Sequence, residues 1–270
     1  MDRTKKECEK RGSGMKGLYI IPDLKQIRET ERFATEQELC YEYNDFFMPS
    51  VLDEEEEIQK RIAVYQDLNR DFSKDTMHGA FFDVTVFSYD EKIRAVSLLR
   101  MRQSMDIAKR MGLRGVVFHG NYFPFLRGTH YDTNWLERTE EAVRELVRDY
   151  PGIEIYMENM FDDTPEMLCR LAKRLQDVPA FGICLDYSHA LLLSKQGERW
   201  FQQLGNYIRH IHVNDHCFDG DIHLVPGEGM TDWEEFFSLR EKYAPDASIH
   251  CEVAGLEAAK RGIAFLKNHL

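Results

Sequence analysis

The amino-acid sequence predicts an α/β protein built as a closed (β/α)8 barrel, in which eight parallel strands are surrounded by helices. From Met15 onwards, short apolar runs alternate with amphipathic stretches, an order typical of a parallel sheet with right-handed crossovers. The apolar runs number eight, which favours a closed barrel over an open doubly wound sheet. The length of 270 residues is also close to the roughly 250 residues of such a barrel.

The predicted strands are short runs with apolar or β-branched content, of a length suited to strands buried on both faces. They span residues 18–21, 38–43, 76–79, 115–119, 153–157, 181–185, 207–213 and 248–253. An open sheet would usually carry a glycine-rich phosphate loop after its first strand. That position here reads Ile21-Pro22-Asp23-Leu24, which favours the closed barrel.

Helices are predicted between the strands. Residues 134–150 place apolar side chains on one helical face, namely Leu136, Val143, Leu146, Val147 and Tyr150. Thr164 and Pro165 are expected to start a helix as its N-cap and first residue, and residues 231–234 to form a capping box. The acidic run 53–57 resembles a cation site, but a solvated first helical turn explains it better.

Composition limits the function classes. The formal net charge of −12 disfavours a nucleic-acid partner, since phosphates are bound mainly by Lys and Arg. The six cysteines lack C-x-x-C spacing and the N-terminus lacks the apolar core of a signal peptide, so free thiols in a cytoplasmic protein are expected. No apolar run is long enough to cross a membrane. Residues 1–14 are expected to be a disordered extension or a cloning remnant, and residues 15–270 a single domain.

Polar residues mark the C-terminal ends of six consecutive predicted strands, where barrel enzymes carry their catalytic groups. These residues are His78, His119, Glu158, Asp186 with His189, His212 and Glu252. A lone residue of this kind is more often a simple hydrogen-bonding group. Several carboxylates and imidazoles at one mouth would repel or desolvate each other unless a cation neutralised them. Mixed oxygen and nitrogen ligands suit Mn²⁺ or Zn²⁺ best, with Co²⁺, Fe²⁺ and Mg²⁺ as alternatives.

Other polar residues near these strands are given lesser roles. His210 has the same strand parity as His212 and is the alternative ligand, although the position nearer the strand end is preferred. Asp215 and Glu228 are expected to orient ligands without binding the metal. Four histidines are placed outside the site, namely His130, His216, His250 and His269.

Six motifs together resemble the xylose isomerase-like TIM barrel superfamily and, within it, the sugar or sugar-phosphate isomerases and epimerases. They are Phe118-His119-Gly120, Met157-Glu158-Asn159, Leu185-Asp186-Tyr187-Ser188-His189-Ala190, His210-Ile211-His212-Val213-Asn214-Asp215, Asp221-Ile222-His223 and Pro226-Gly227-Glu228-Gly229. The resemblance implies a metal held by Glu158, Asp186, His212 and Glu252. It also implies that Glu158 and Glu252 form the acid/base pair and that His189 contacts substrate oxygens.

The reaction implied by this resemblance is isomerisation or epimerisation of a small sugar, sugar acid or sugar phosphate. A metal bound to neighbouring carbonyl and hydroxyl oxygens acidifies the C–H between them and stabilises the enediolate that forms. A carboxylate on each side of the substrate then removes and returns a proton. The expected partner is a small carbohydrate, and the oligomeric state is left open, with a homo-oligomer as one option.

The same superfamily includes endonuclease IV, a trinuclear zinc phosphodiesterase that acts on abasic DNA, and the chain resembles it as well. The fuller ligand set implied by that resemblance is His78, His119, Glu158, Asp186, His189, His212, Asp221, His223 and Glu252. The five members outside the first four ligands would bind substrate under the first resemblance and further metal under the second.

Two features of the sequence favour the isomerase interpretation. The segment between His212 and Asp221 looks shorter than in those nucleases, and the loop at residues 43–49 contains no Lys or Arg, which suits a cap over a small substrate. Five aromatic residues fit a sugar pocket or a flipped nucleotide equally well: Phe81, Phe82, Tyr122, Phe123 and Phe125. A binding barrel without catalysis is disfavoured because both candidate acid/base glutamates are present.

Overall fold

The computed structural model describes residues 17–81 and 83–270, so the extension predicted at residues 1–14 lies outside the described residues. Eight parallel strands pair in chain order, and the last pairs with the first, which closes the barrel. They are β1 Leu18–Ile20, β2 Cys40–Tyr43, β3 Thr76–His78, β4 Gly115–His119, β5 Glu154–Glu158, β6 Phe181–Asp186, β7 Ile208–Val213 and β8 Ser248–Cys251. Each of the eight predicted strands is confirmed, with its ends shifted by at most two residues.

Helices surround the barrel in the described part of the chain. They are α1 Ile27–Gln37, α2 Pro49–Leu52, α3 Glu55–Gln66, α4 Glu91–Met111, α5 Thr129–Asp149, α6 Glu166–Arg174, α7 Tyr187–Ser194, α8 Gly197–Leu204, α9 Trp233–Tyr243 and α10 Leu256–Lys267. The helix predicted at residues 134–150 is confirmed by α5, which begins five residues earlier and ends one residue earlier. The acidic run is also confirmed as a helix start, since Glu55, Glu56 and Glu57 occupy the first turn of α3.

The predicted start of α6 is wrong by one residue. Pro165 lies at the N-cap, and the helix begins at Glu166 without a capping side chain. The Thr164 hydroxyl, expected to cap the helix, instead donates to the Glu166 carboxylate at 3.1 Å. A local side-chain contact therefore replaces the predicted cap.

The predicted start of α9 is also shifted by one residue. Asp232 caps the helix, and its side chain accepts a hydrogen bond from the Glu235 N–H at 2.9 Å. In a capping box the N-cap N–H would bond to the side chain of Glu234. The Thr231 N–H instead donates to Asp215 Oδ1 at 3.0 Å, so this half of the predicted capping box is not formed.

Alternating strand residues face two different environments. One set, which includes Val116 and Ile183, packs in the large apolar core with residues of the helices. Val117, Tyr156 and Cys184, at the alternate positions, form a small separate cluster. Polar side chains occupy further inward positions and lead up to the C-terminal mouth of the barrel, where the candidate site lies.

The described residues bear on two predictions, the absence of a membrane-spanning segment and the free state of the cysteines. No helix within them has both the length and the apolar content needed to cross a membrane. Their cysteines carry free thiols, as predicted, and Cys8 lies outside the described residues. These cysteines are Cys40, Cys169, Cys184, Cys217 and Cys251.

Candidate metal centre at the barrel mouth

The predicted site residues converge above the C-terminal ends of the strands. Most of them line a cavity of about 200 Å³, namely His78, His119, Glu158, His189, Asp221, His223 and Glu252. Asp186 and His212 are fully buried against this lining. Asp186 Oδ2 lies 3.7 Å from His189 Nδ1, and His212 Nδ1 lies 3.4 Å from Glu252 Oε2. The structure therefore brings every predicted site residue to one end of the barrel.

The four residues predicted to hold a metal, here called the mouth quartet, are Glu158, Asp186, His212 and Glu252. His212 Nδ1 lies 3.5 Å from Glu158 Oε2 and 3.4 Å from Glu252 Oε2. Each member presents at least one buried atom without a hydrogen-bond partner among the described residues: Glu158 Oε2, Asp186 Oδ2, both ring nitrogens of His212, and Glu252 Oε2. Buried polar atoms are normally paired, so such atoms of metal-ligand type on all four residues fit a bound cation.

Asp186 is positioned by contacts that occupy its other carboxylate oxygen and its backbone. It is the N-cap of α7, and its Oδ1 accepts the His189 N–H at 2.7 Å. The Asn159 side chain bridges β5 and β6 by accepting the Asp186 N–H at 2.9 Å and donating to the Asp186 carbonyl at 2.8 Å. These bonds fix the residue and leave Oδ2 as the oxygen without a partner in the described structure.

Burial and neighbouring charge act in opposite directions on the carboxyl groups of the mouth quartet. Burial raises the pKa of Asp186 to about 7, and the nearby His189 charge offsets only part of that effect. Burial acts on Glu252 as well, but the His212 charge outweighs it and lowers the pKa of Glu252 to about 2. A bound cation would favour the ionised form of both groups.

Glu158 also belongs to a second group, with His78 and His119. The Nε2 atoms of His78 and His119 lie 3.5 Å and 3.4 Å from Glu158 Oε2, and 3.1 Å from each other. His78 Nδ1 lies 3.0 Å from the Gly79 carbonyl, the kind of backbone contact that orients metal-binding histidines. The ligand-type atoms of this group lie within 4.8 Å of one another, so the group can also hold an ion.

A third group, His189, Asp221 and His223, lies at the rim of the cavity. Asp221 Oδ2 is 3.2 Å from His189 Nε2, and Asp221 Oδ1 is 3.1 Å from His223 Nε2. The Nδ1 atoms of the two histidines face the carbonyls of Asn159 and Glu252, each at 2.9 Å. Although burial opposes protonation of His223, the Asp221 carboxylate raises the pKa of His223 to about 10. These three residues also meet the geometric requirement for holding an ion.

The loop that carries Asp221 and His223 is closed at its base. Asp215 and Leu224 exchange two backbone hydrogen bonds, of 2.7 Å and 2.9 Å. His223 adopts a left-handed backbone conformation with φ of 49°. The left-handed conformation turns the chain just before the paired residues Asp215 and Leu224. His223 therefore lies at the mouth of the barrel beside Asp221.

Asp215, which was expected to orient a ligand, holds the following loop in place. Its carboxylate accepts the N–H groups of Gly227 and Thr231 and the indole N–H of Trp233 at 2.9–3.0 Å. A Cβ atom at Gly229 would lie 2.3 Å from Asp215 Oδ1, so only glycine fits against this carboxylate. The Pro-Gly-Glu-Gly motif is therefore explained by loop packing.

Glu228, the other residue expected to orient a ligand, lies on the surface. It forms an ion pair with Arg261 at 2.7 Å, and both side chains are about half exposed, at 46% and 56%. Its contact is with α10, on the outside of the barrel. The expectation that Glu228 supports the metal site is not met.

The sequence reasoning missed a buried cluster inside the barrel, here called the interior cluster, which consists of Glu42, His210 and His250. Glu42 Oε2 lies 3.0 Å from His210 Nε2, and Glu42 Oε1 lies 2.9 Å from His212 Nε2. His250 was placed outside the site, but it is fully buried here with its Nδ1 at 3.5 Å from Glu42 Oε1. Two signals were available: Glu42 is a charged residue within a predicted buried strand, and His250 shares strand parity with Glu252.

The aromatic residues predicted to form the pocket separate into different environments. Phe81 lines the main cavity, and Phe123 and Phe81 line an adjoining one of about 260 Å³. Tyr122 is buried away from both, and Phe125 is 92% exposed. Phe82 lies outside the described residues.

The loop after β2, predicted to cap a small substrate, borders the cavity. Asn44 and Phe47 belong to the cavity lining. Arg61 of α3 donates to the Asp45 carbonyl at 2.6 Å, which ties the loop to the helix behind it. Within the described residues, the cavity lining contains no Lys or Arg.

Known proteins share this architecture. A family model described as "Xylose isomerase-like TIM barrel" matches residues 36–269. A "Probable endonuclease 4" of Mycobacterium ulcerans is 30% identical over 203 residues, which are 69% of this chain and 75% of that protein. The crystal structure of a D-tagatose 3-epimerase-like protein superposes with a TM-score of 0.74 at 22% identity, covering 94% of this chain and 96% of the other. A Thermus thermophilus protein from a crystal soaked with ZnCl₂ superposes with a TM-score of 0.71 at 20% identity, covering 94% and 97%.

Proposed function

The chain belongs to the xylose isomerase-like TIM barrel family, and we propose that it is a metal-dependent isomerase or epimerase of a small sugar, sugar acid or sugar phosphate. The main support is the cavity of about 200 Å³, which both Glu158 and Glu252 line. Pockets for drug-sized ligands usually measure about 300–1,000 Å³, so this cavity suits a small substrate. Because its described lining has no Lys or Arg, an uncharged sugar fits better than a phosphate.

The mouth quartet is the proposed metal site. A divalent cation held there would polarise neighbouring substrate oxygens and acidify the C–H between them. Two carboxylates, an imidazole and a third carboxyl group suit Mn²⁺ or Zn²⁺. The buried ligand-type atoms that have no partner in the described structure support this ligand set.

Glu158 and Glu252 are the proposed acid/base pair. His212 helps to hold the pKa of each well below its ordinary range despite burial, so each carboxylate can accept a proton. Glu158 ends β5 and Glu252 follows β8, so the two carboxylates reach the cavity from different sides of the barrel. One can therefore remove a proton from the substrate while the other returns a proton at a different face. His189 lines the same cavity and is placed to donate to a substrate oxygen.

Solvent deuterium exchange tests this proposal even while the product is unidentified. Protein loaded with Mn²⁺ or Zn²⁺ is incubated in ²H₂O with aldoses, ketoses, sugar acids and sugar phosphates, and deuterium uptake next to the carbonyl is measured by NMR. Glu158→Gln and Glu252→Gln are each expected to slow exchange by about 10²–10⁴-fold. The matched control is Glu228→Gln, a surface carboxylate. Full activity in both active-site variants would remove the proposed acid/base roles.

A second candidate function is cleavage of abasic DNA by a trinuclear zinc site. It is supported by the two further groups, His78–His119–Glu158 and His189–Asp221–His223, and by the "Probable endonuclease 4" relative. The absence of Lys and Arg from the described cavity lining weighs against it, since phosphates are usually contacted by cations. Elemental analysis separates the two: one metal ion per chain supports the isomerase. Three zinc ions together with metal-dependent nicking of an abasic duplex would overturn it.

A further inference from the structure

His212 lies between two sets of carboxylates, and its two ring nitrogens face different ones. Nδ1 lies 3.5 Å from Glu158 Oε2 and 3.4 Å from Glu252 Oε2, at the mouth. Nε2 lies 2.9 Å from Glu42 Oε1, and both of those side chains are fully buried. An imidazole nitrogen binds a cation only when it carries no proton, so the location of the ring proton decides which side of His212 can be a ligand.

We propose that Glu42 is a positioning residue that holds the His212 proton on Nε2 and so leaves Nδ1 free to bind a divalent cation. This inference rests on the proposed metal site. It adds Glu42 as a residue that supports the ligand His212, although Glu42 does not line the cavity itself. A carboxylate that accepts the second N–H of a metal-binding histidine fixes its tautomer and ring orientation and makes the ring a better ligand.

Glu42 is itself held in place by its other oxygen. Oε2 accepts a hydrogen bond from the Thr76 hydroxyl at 2.7 Å and lies 3.0 Å from His210 Nε2. His210 is in turn bonded through Nδ1 to the Ser248 hydroxyl at 2.6 Å. With Oε2 occupied, Oε1 is the oxygen available to His212. Oε1 lies at hydrogen-bond distance from His212 Nε2, at 2.9 Å, but the angle does not make a well-directed bond. His250 Nδ1 is farther from the same oxygen, at 3.5 Å.

A second metal ion inside the barrel is the competing interpretation of the same residues. Both ring nitrogens of His210 are already bonded, to Ser248 and to Glu42. Together with His212 and His250, however, Glu42 and His210 bring four ligand-type atoms within 4.8 Å of one another, so the group meets the geometric requirement for an ion. The 2.9 Å separation between Glu42 Oε1 and His212 Nε2 is a hydrogen-bond distance, which favours the positioning role. The number of Co²⁺ ions bound per chain decides between the two interpretations.

Cobalt binding tests the proposal independently of any substrate. Full-length wild type, Glu42→Gln and Glu42→Leu are titrated with Co²⁺ against a competing chelator, with the visible spectrum as a second readout. Thr30→Ala is the control, because Thr30 is as buried as Glu42 but its hydroxyl donates to the Gln26 carbonyl, outside the interior cluster. We expect Glu42→Leu to weaken Co²⁺ binding about 10–100-fold and Thr30→Ala by less than about twofold. Glu42→Gln should fall between wild type and Glu42→Leu because its amide oxygen still accepts the Nε2–H.

NMR of the His212 ring provides a second readout of the hydrogen bond to Glu42. In Zn²⁺-loaded wild type, the single ring proton is expected on Nε2 with a downfield shift, because Glu42 Oε1 lies 2.9 Å away. Glu42→Leu should lose that downfield shift. If Glu42→Leu does not fold, the isosteric Glu42→Gln still carries the test. The proposal is overturned if Glu42→Gln and Glu42→Leu bind Co²⁺ like wild type, or if Thr30→Ala weakens binding as much. It is also overturned if wild type binds two Co²⁺ ions and a Glu42 variant binds one, because Glu42 would then be a ligand.

The outcome for wild type separates this inference from the proposed function. Tight Co²⁺ binding together with no deuterium exchange on any sugar would remove the isomerase assignment and leave the Glu42 comparison intact. Wild type that binds no Co²⁺ would overturn both.

Discussion

The mouth quartet and the interior cluster are built from the same residue types and both contact His212, yet their polar atoms have different surroundings. At the mouth, each of the four residues keeps at least one ligand-type atom without a partner in the described structure. In the interior cluster, Glu42 Oε2 and both nitrogens of His210 are bonded within the protein, whereas Glu42 Oε1 and both nitrogens of His250 have no well-directed partner among the described residues. Unpaired buried atoms therefore occur in both groups. The difference is access, because Glu158 and Glu252 line the cavity and the interior cluster does not.

The largest expected effect comes from removing the residue that joins the two groups. His212→Leu should abolish Co²⁺ binding and lower the free energy of unfolding by about 3–5 kcal/mol, because Glu42 and the mouth carboxylates lose a buried partner. Urea unfolding and Co²⁺ titration measure the two effects. His130→Leu, at an exposed position, is the control. A His212→Leu protein with wild-type stability and metal affinity would show that the two groups are not coupled through this ring.

Metal removal is expected to lower the stability that the mouth quartet contributes. A metal present at about 100 times its dissociation constant adds about 2.7 kcal/mol of stability. For a chain of this size, that corresponds to a rise in Tm of roughly 5–10 °C. We expect EDTA-treated protein to melt that much lower, and Glu252→Gln to show a smaller metal-dependent shift than Glu228→Gln. A Tm that is indifferent to metal and chelator would argue that the quartet is not a metal site.

Asp162 is a buried carboxyl that belongs neither to the mouth quartet nor to the interior cluster, and it shows the effect of burial on the pKa. Burial raises its pKa from the ordinary 3.8 to about 7, and one of its oxygens accepts the Met160 N–H at 3.3 Å. The folded state therefore holds the proton more tightly than the unfolded state, so wild-type stability falls as pH rises from about 4 through about 7.

Asp162→Asn cannot ionise and should escape this loss. Since one pKa unit corresponds to about 1.4 kcal/mol, the variant should gain about 1–2 kcal/mol more over wild type at pH 8 than at pH 5.5. Urea unfolding of metal-free protein at the two pH values measures the difference. An equal effect at both pH values would mean that Asp162 does not titrate in the folded protein.

The smallest change in stability is expected at Glu228, whose carboxylate lies outside the barrel and pairs with Arg261 on the surface. Its pair with Arg261 is about half exposed, so Glu228→Gln should change the free energy of unfolding by less than about 0.5 kcal/mol. Urea unfolding gives this value and sets the baseline for the buried variants. A loss above about 1 kcal/mol would mean that surface and buried carboxylates cannot be separated in this way.

The strands and the mouth quartet could be predicted from the sequence for a geometric reason. Parallel strands of a barrel present their C-terminal ends at one mouth, so His119 at the end of β4 and Glu158 at the end of β5 must lie close together. Their side-by-side register in the structure follows directly from that topology. This part of the site does not depend on how side chains pack inside the barrel.

The interior cluster could not be predicted in the same way, because its contacts cross the barrel. Glu42 and His210 are 168 residues apart, and β2 and β7 are not neighbouring strands. Their contact depends on which side chains fill the barrel interior. The bond between the Thr231 N–H and Asp215 was missed for a similar reason, since it joins residues 16 positions apart.

Asp215 holds both ends of the loop that brings Asp221 and His223 to the mouth of the barrel. Its backbone pairs with Leu224 and so closes the base of the loop 216–223. Its carboxylate accepts the N–H groups of Gly227 and Thr231, which follow that loop. The segment 216–223 is therefore held between anchors that do not depend on its own sequence. This segment supplies Asp221 and His223 to the mouth. Replacing it with another segment between the same contacts would remove or rebuild the group His189–Asp221–His223 while the four residues of the mouth quartet keep their positions.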